Sequence, residues 1–142
     1  QDLDFVAEHN NLTTDQVIEI HCSPEYLVYM LGFTPGFPYL GGMDESISTP
    51  RLTTPRTLIP AGSVGIADKQ TGIYPSESPG GWRLIGKTPL TLFNHEQNPP
   101  SLIMPGDLIR FVPIKSINEY ETILNSVKTN KFKPNKSIKN DA

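Results

Sequence analysis

Residues 60–89 read PAGSVGIADKQTGIYPSESPGGWRLIGKTP. Within them SVGIA (63–67), TGIYP (71–75) and GWRLIG (81–86) are short apolar runs in a stretch punctuated by Gly and Pro, too short and interrupted for a helix. This spacing predicts strands joined by tight turns. LTLF at 90–93 and DLIRFVPI at 107–114 extend the pattern downstream, and YLVYML at 26–31 supplies a first strand upstream. In the last run Leu108, Arg110 and Val112 alternate with Ile109, Phe111 and Pro113, as one dry and one wet face require. Of the 14 prolines, 11 fall between Pro35 and Pro105, so the middle of the chain cannot hold long helices. Short strands at this spacing argue for a mainly β domain, a barrel or a sandwich.

Helices are predicted only at the two ends. Leu3, Val6 and Ala7 share one side of a 3.6-residue period behind Asp2, a suitable N-cap, so a short helix is expected over 2–10. Thr13 and Gln16 form a capping-box pattern ahead of Val17, Ile18 and His21, which places a second helix up to about Cys22. Ser116 and Glu119 repeat that pattern before Ile117, Tyr120, Ile123, Leu124 and Val127, predicting a terminal helix packed on the barrel. Residues 128–142 hold five lysines and little apolar content, the composition of a mobile tail.

At 142 residues the chain is sized for one domain, and 12 basic against 15 acidic residues leave a net charge of −3. Such a balance supplies no chain-wide attraction to nucleic acid or to an anionic membrane. Cys22 is the sole cysteine, which excludes an intrachain disulfide, leaves no zinc-binding Cys/His set and agrees with a reducing cytoplasm. No apolar run approaches the roughly 20 residues that cross a bilayer. The chain opens on Gln1 directly before a helical pattern, an opening expected of a piece of a longer polypeptide.

Two clusters stand out for chemistry. The first is GFTPGFPYLGG at 32–42, where Phe33, Phe37 and Tyr39 sit among four glycines and two prolines. Either the rings plug one end of the barrel, or Phe33, Pro35, Phe37, Pro38 and Tyr39 line a groove whose glycines let a partner or ligand come close. The second lies within 60–89. Arg83 can grip a carboxylate through two parallel hydrogen bonds, Gln70 offers a donor and an acceptor to an amide, and Tyr74 and Trp82 can wall the pocket. The competing reading has Tyr74 and Trp82 filling the core while Arg83 pairs with Asp68 or Glu77. His21, just before the first strand, is placed near the mouth of the aromatic loop, whereas His9 and His95 stand apart from it. Nucleotide-binding P-loop, Rossmann, zincin and serine-hydrolase motifs are absent from the sequence, and no catalytic residue is assigned.

GFTPGFPYLGG, then PAGSVGIA at 60–67, QTGIYP at 70–75 and SPGGWRLIGKTP at 78–89, in that order, resemble the C-terminal domain of the KipI family over residues 1 to about 120. That family includes the B subunit of bacterial 5-oxoprolinase, formerly called the first subunit of allophanate hydrolase, and an inhibitor of a sporulation histidine kinase. The resemblance implies a cyclophilin-like β-barrel over 1–127, with short N-terminal helices and a C-terminal helix, preceded in full members by an α+β domain that this chain lacks. It also implies work beside two partner subunits of 5-oxoprolinase, the homologous barrel of the C type and the larger one of the A type. Their complex uses ATP to open 5-oxoproline to glutamate, with no cofactor held by this chain. Arg83, Gln70, Tyr74, Trp82 and His21 would then face a lactam or amide substrate. Two other readings are a histidine-kinase inhibitor that docks through Phe33, Phe37, Pro38 and Tyr39, and a component of the allophanate hydrolase or urea carboxylase type. Prolyl isomerase activity is not carried over, because Arg83 has none of the neighbours it requires.

Overall fold

The computed structural model describes residues 2–31, 37–90, 105–114 and 116–128. The chain enters through α1 (Leu3–His9) and α2 (Thr14–Cys22). At α2 the capping box forms as its spacing demands: the Gln16 N–H donates to Thr13 Oγ1 at 3.1 Å, and the Thr13 N–H donates to Gln16 Oε1 at 2.9 Å. Asp2, expected to cap α1, makes no side-chain cap. Its carboxylate instead takes both arms of Arg56 at 2.7 and 2.8 Å and the Leu84 N–H at 2.8 Å, while its own N–H donates to Leu84 O at 2.8 Å. Burial alone would raise this carboxyl, but those donors outweigh it and hold Asp2 below the usual carboxylate range.

The strands are β1 (Tyr26–Leu31), β2 (Pro38–Gly41), β3 (Arg56–Ile59), β4 (Ser63–Ala67), β5 (Gln70–Ile73), β6 (Ser78–Gly80), β7 (Arg83–Lys87) and β8 (Leu108–Ile109). A 3₁₀ turn, Glu45–Ile47, follows β2, and α3 spans Ile117–Lys128. Six strands pair antiparallel in the order β7-β4-β5-β2-β1-β8, and β3 and β6 form a separate ribbon. The mainly β class therefore holds, but among the described residues the sheet is open and not a closed barrel. The long strand expected over 107–114 pairs with β1 only at Leu108 and Ile109. The LTLF strand, the segment carrying Phe33 and Pro35, and tail residues 129–142 fall wholly or largely outside the described residues.

Alternation along the strands assigns each side chain to one of two faces. Face one carries Tyr26, Val28, Leu40 and Ile66, and α1 and α2 cover it with Val6, Ala7 and Val17. On face two Ala67, Leu84, Trp82, Phe37 and Tyr74 pack with Ile59 of the ribbon. Ribbon strands β3 and β6 are short, and β6 contains Pro79 and Gly80, residues that strands usually avoid. Face two needs a cover, and the ribbon provides one.

Candidate functional site

The floor of face two is built from glycine. Gly65 of β4 and Gly72 of β5 are directly paired, so two neighbouring positions of the sheet carry no side chain on this face. A Cβ at Gly72 would lie 3.0 Å from both Phe37 Cε1 and Trp82 Cζ3, and one at Gly65 would lie 3.1 Å from Trp82 Cβ. The missing side chains leave a shallow seat into which the rings settle.

Four aromatic side chains meet there. Phe37 lies 5.1 Å from Tyr74 and 5.4 Å from Trp82, both edge to face, and 5.1 Å from Tyr39. Tyr39 and Tyr74 each stand 6.4 Å from Trp82. These separations suit the quadrupoles of the rings. Phe37 is 1% exposed and Trp82 7%, so the rings close mainly on one another. Burial raises the Tyr74 hydroxyl above its usual range, although a backbone hydrogen bond with Trp82 works the other way. Tyr39 stays half-buried at the rim. Gln70 shares this face, because it lies two residues before Gly72 on the same strand.

The structure thus brings together Phe37, Tyr39, Tyr74 and Trp82, with Gln70 on the same face, and separates Arg83 and His21 from them. Arg83 pairs with Ile66, and its guanidinium lies 3.8 Å from the centroid of the Phe5 ring on the helix-covered side. Its Nε donates to Pro50 O at 3.0 Å, and it forms no ion pair with Asp68 or Glu77 among the described residues. The expected carboxylate grip of Arg83 beside Trp82 is corrected on this point: neighbours along a strand point to opposite faces. Pro38 is buried in β2 between Phe37 and Tyr39. Phe33 and Pro35 lie outside the described residues.

His21 is a core residue of face one. Its Nε2 lies 2.9 Å from Thr71 Oγ1, and the Thr71 hydroxyl donates to Gly65 O at 2.9 Å, so Nε2 must carry the proton and donate. The ring sits 4.4 Å from Phe111 and 5.5 Å from Tyr26, and burial depresses its pKa to about 4. An unfolded chain takes up this proton near pH 6.5, whereas the folded one resists it down to about 4. The ring's contribution to stability is therefore complete above about 6.5 and is lost as the pH falls through that interval, by up to about 3 kcal/mol. Thermal melts of His21→Gln, which keeps a donor for Thr71, should decline less steeply than wild type between pH 6.5 and 4. Parallel curves would show that another group titrates.

Arg51 escaped the reading of the sequence. It is exposed, and its guanidinium carbon stands 5.9 Å from the centroid of the Trp82 ring, a cation–π distance. No group of three His, Cys, Asp or Glu side chains among the described residues could hold a metal ion, and no described helix is long and apolar enough to cross a membrane.

An open antiparallel sheet with one face covered by helices and the other by an aromatic cluster and a two-stranded ribbon defines a mainly β domain. Residues 1–103 match the carboxyltransferase domain, subdomain C and D, and the chain belongs to that family. It is similar to the B subunit of 5-oxoprolinase from Bacillus subtilis, at 59% identity over 113 residues that make up 80% of this chain and 47% of that one. A urea amidolyase of Lachancea kluyveri is 33% identical over 138 residues, 92% of this chain and 8% of its own. Among solved structures, an uncharacterised protein of Pyrococcus horikoshii superposes with a TM-score of 0.80 at 60% identity, covering 84% of this chain and 55% of that one. The chain spans about half the length of the Bacillus subtilis protein that it matches.

Proposed function

We propose that the chain is part of the B subunit of an ATP-dependent 5-oxoprolinase, to which it contributes the aromatic face that receives the lactam. The observation that carries this reading is the 59% identity, over 80% of the chain, with a protein of that name. The more distant likeness to a urea amidolyase favours the second reading, a component of the allophanate hydrolase or urea carboxylase type. 5-Oxoproline is a flat five-membered ring with one amide and one carboxylate. The edges of Trp82 and Tyr39 suit the ring, and Gln70, with a donor and an acceptor on one group, suits the amide. Such a face can bind and orient the substrate. The phosphate chemistry of ATP belongs to other parts of a cytoplasmic complex, formed with the A-type and C-type subunits.

Co-production of the chain with candidate partners of the A and C types tests the reading. Glutamate should be released from 5-oxoproline only when ATP and all three components are present. An assembled complex that consumes no 5-oxoproline in the presence of ATP would overturn it.

A further inference from the structure

Of Arg51, Arg56 and Arg83, which flank the aromatic cluster, its ribbon and the N-terminal helix, two are engaged. Arg56 is closed on Asp2 by two hydrogen bonds, and Arg83 is held by Pro50 O and the Phe5 ring. Arg51 stands over Trp82, close enough to the Tyr74 hydroxyl to act on it electrostatically, and forms no ion pair among the described residues. An arginine laid over an aromatic ring keeps the N–H groups at its edge available, and it is less hydrated there than in open water. These N–H groups form the fork that recognises a carboxylate.

The backbone that carries Arg51 is tied down on both sides. The Thr49 N–H donates to Asp68 O at 3.1 Å, and the Asp68 N–H donates back to Thr49 O at 2.7 Å. Arg83 Nε donates to Pro50 O at 3.0 Å, and the Leu52 N–H donates to Gly81 O at 2.7 Å. The last bond joins the residue after Arg51 to the residue before Trp82. A cation on backbone already ordered loses less freedom when it binds than one on a loose loop.

We propose that Arg51 binds the carboxylate of a small cyclic acid that lies against Trp82 and Tyr39, and that Arg83 is a positioning residue acting through the Pro50 carbonyl. The inference rests on the 5-oxoprolinase reading for the identity of the acid, 5-oxoproline. It moves the carboxylate contact from the helix-covered face to the aromatic one.

Trp82 is the sole tryptophan of the chain, so its emission reports on this site alone. Titration of the chain with 5-oxoproline should change that emission to saturation, and 2-pyrrolidinone, the same ring without the carboxylate, should do so far more weakly. Arg51→Ala should weaken 5-oxoproline binding roughly 10- to 100-fold with an unchanged melting curve, and Arg51→Lys, which keeps the charge and loses the fork, should fall between. Arg83→Met should weaken binding as well, and Arg83→Lys, which retains a donor for Pro50 O, should restore most of it. Equal binding of 5-oxoproline by wild type and Arg51→Ala would overturn the role of Arg51 and leave the substrate reading intact. If wild type ignores 5-oxoproline but responds to cyclopentanecarboxylate, and loses that response in Arg51→Ala, the carboxylate site stands and the substrate reading falls. No response to either acid would overturn the site itself.

Discussion

Replacing Trp82 with Ala should lower folding stability by about 3–5 kcal/mol, the range for emptying a buried aromatic position. The ring touches Phe37, Tyr39 and Tyr74 and rests on the glycine floor, so its loss removes apolar burial and three aromatic contacts together. Collapse cannot easily close the gap, because Tyr74 and Phe37 are themselves wedged between the sheet and the Ile59 ribbon. Trp82→Phe should lose markedly less. Urea denaturation followed by far-ultraviolet circular dichroism measures both, and a loss below about 1 kcal/mol for Trp82→Ala would contradict the packing described.

The second large effect is expected at Gly72. Ala in place of Gly usually stabilises a strand by about 0.4–1 kcal/mol, through reduced freedom of the unfolded chain. Here the new Cβ meets Phe37 Cε1 and Trp82 Cζ3 at 3.0 Å, and both rings are locked by their neighbours. Overpacking of that kind costs about 1–3 kcal/mol, so the clash wins and Gly72→Ala should be destabilising. In a Trp82→Ala background half of the obstruction is gone, and the same substitution should cost less. Additive losses in the double variant would mean that the Cβ and the indole do not meet.

Much of this was legible in residue order. The Thr13–Gln16 capping box, both N-terminal helices and the SVGIA strand follow from spacing alone, because local hydrogen bonding and the period of the apolar residues dictate them. Strands β3 and β6 were not legible: RTLI is short, β6 contains Pro and Gly, and only the need to cover the aromatic face makes a ribbon of them. The aromatic half of the site could be read from its glycine and proline frame. Trp82 and Arg83, adjacent on one run, could not share a face, and strand alternation applied to that pair already separates them. Arg51 carried no such signal. Its position over Trp82 depends on backbone bonds from residues 49 and 52 to residues 68 and 81, contacts across the chain that no local pattern records.

Ligand recognition is assigned to the aromatic face and not to the helix-covered one. Backbone amide chemical shifts, recorded while 5-oxoproline is added to the isotopically labelled chain, test that assignment most directly. The shifts should move around Tyr39, Leu52, Gln70 to Tyr74, and Gly81 with Trp82, while Phe5, His21 and Tyr26 stay still. Shifts confined to the surroundings of Phe5 and His21 would contradict it.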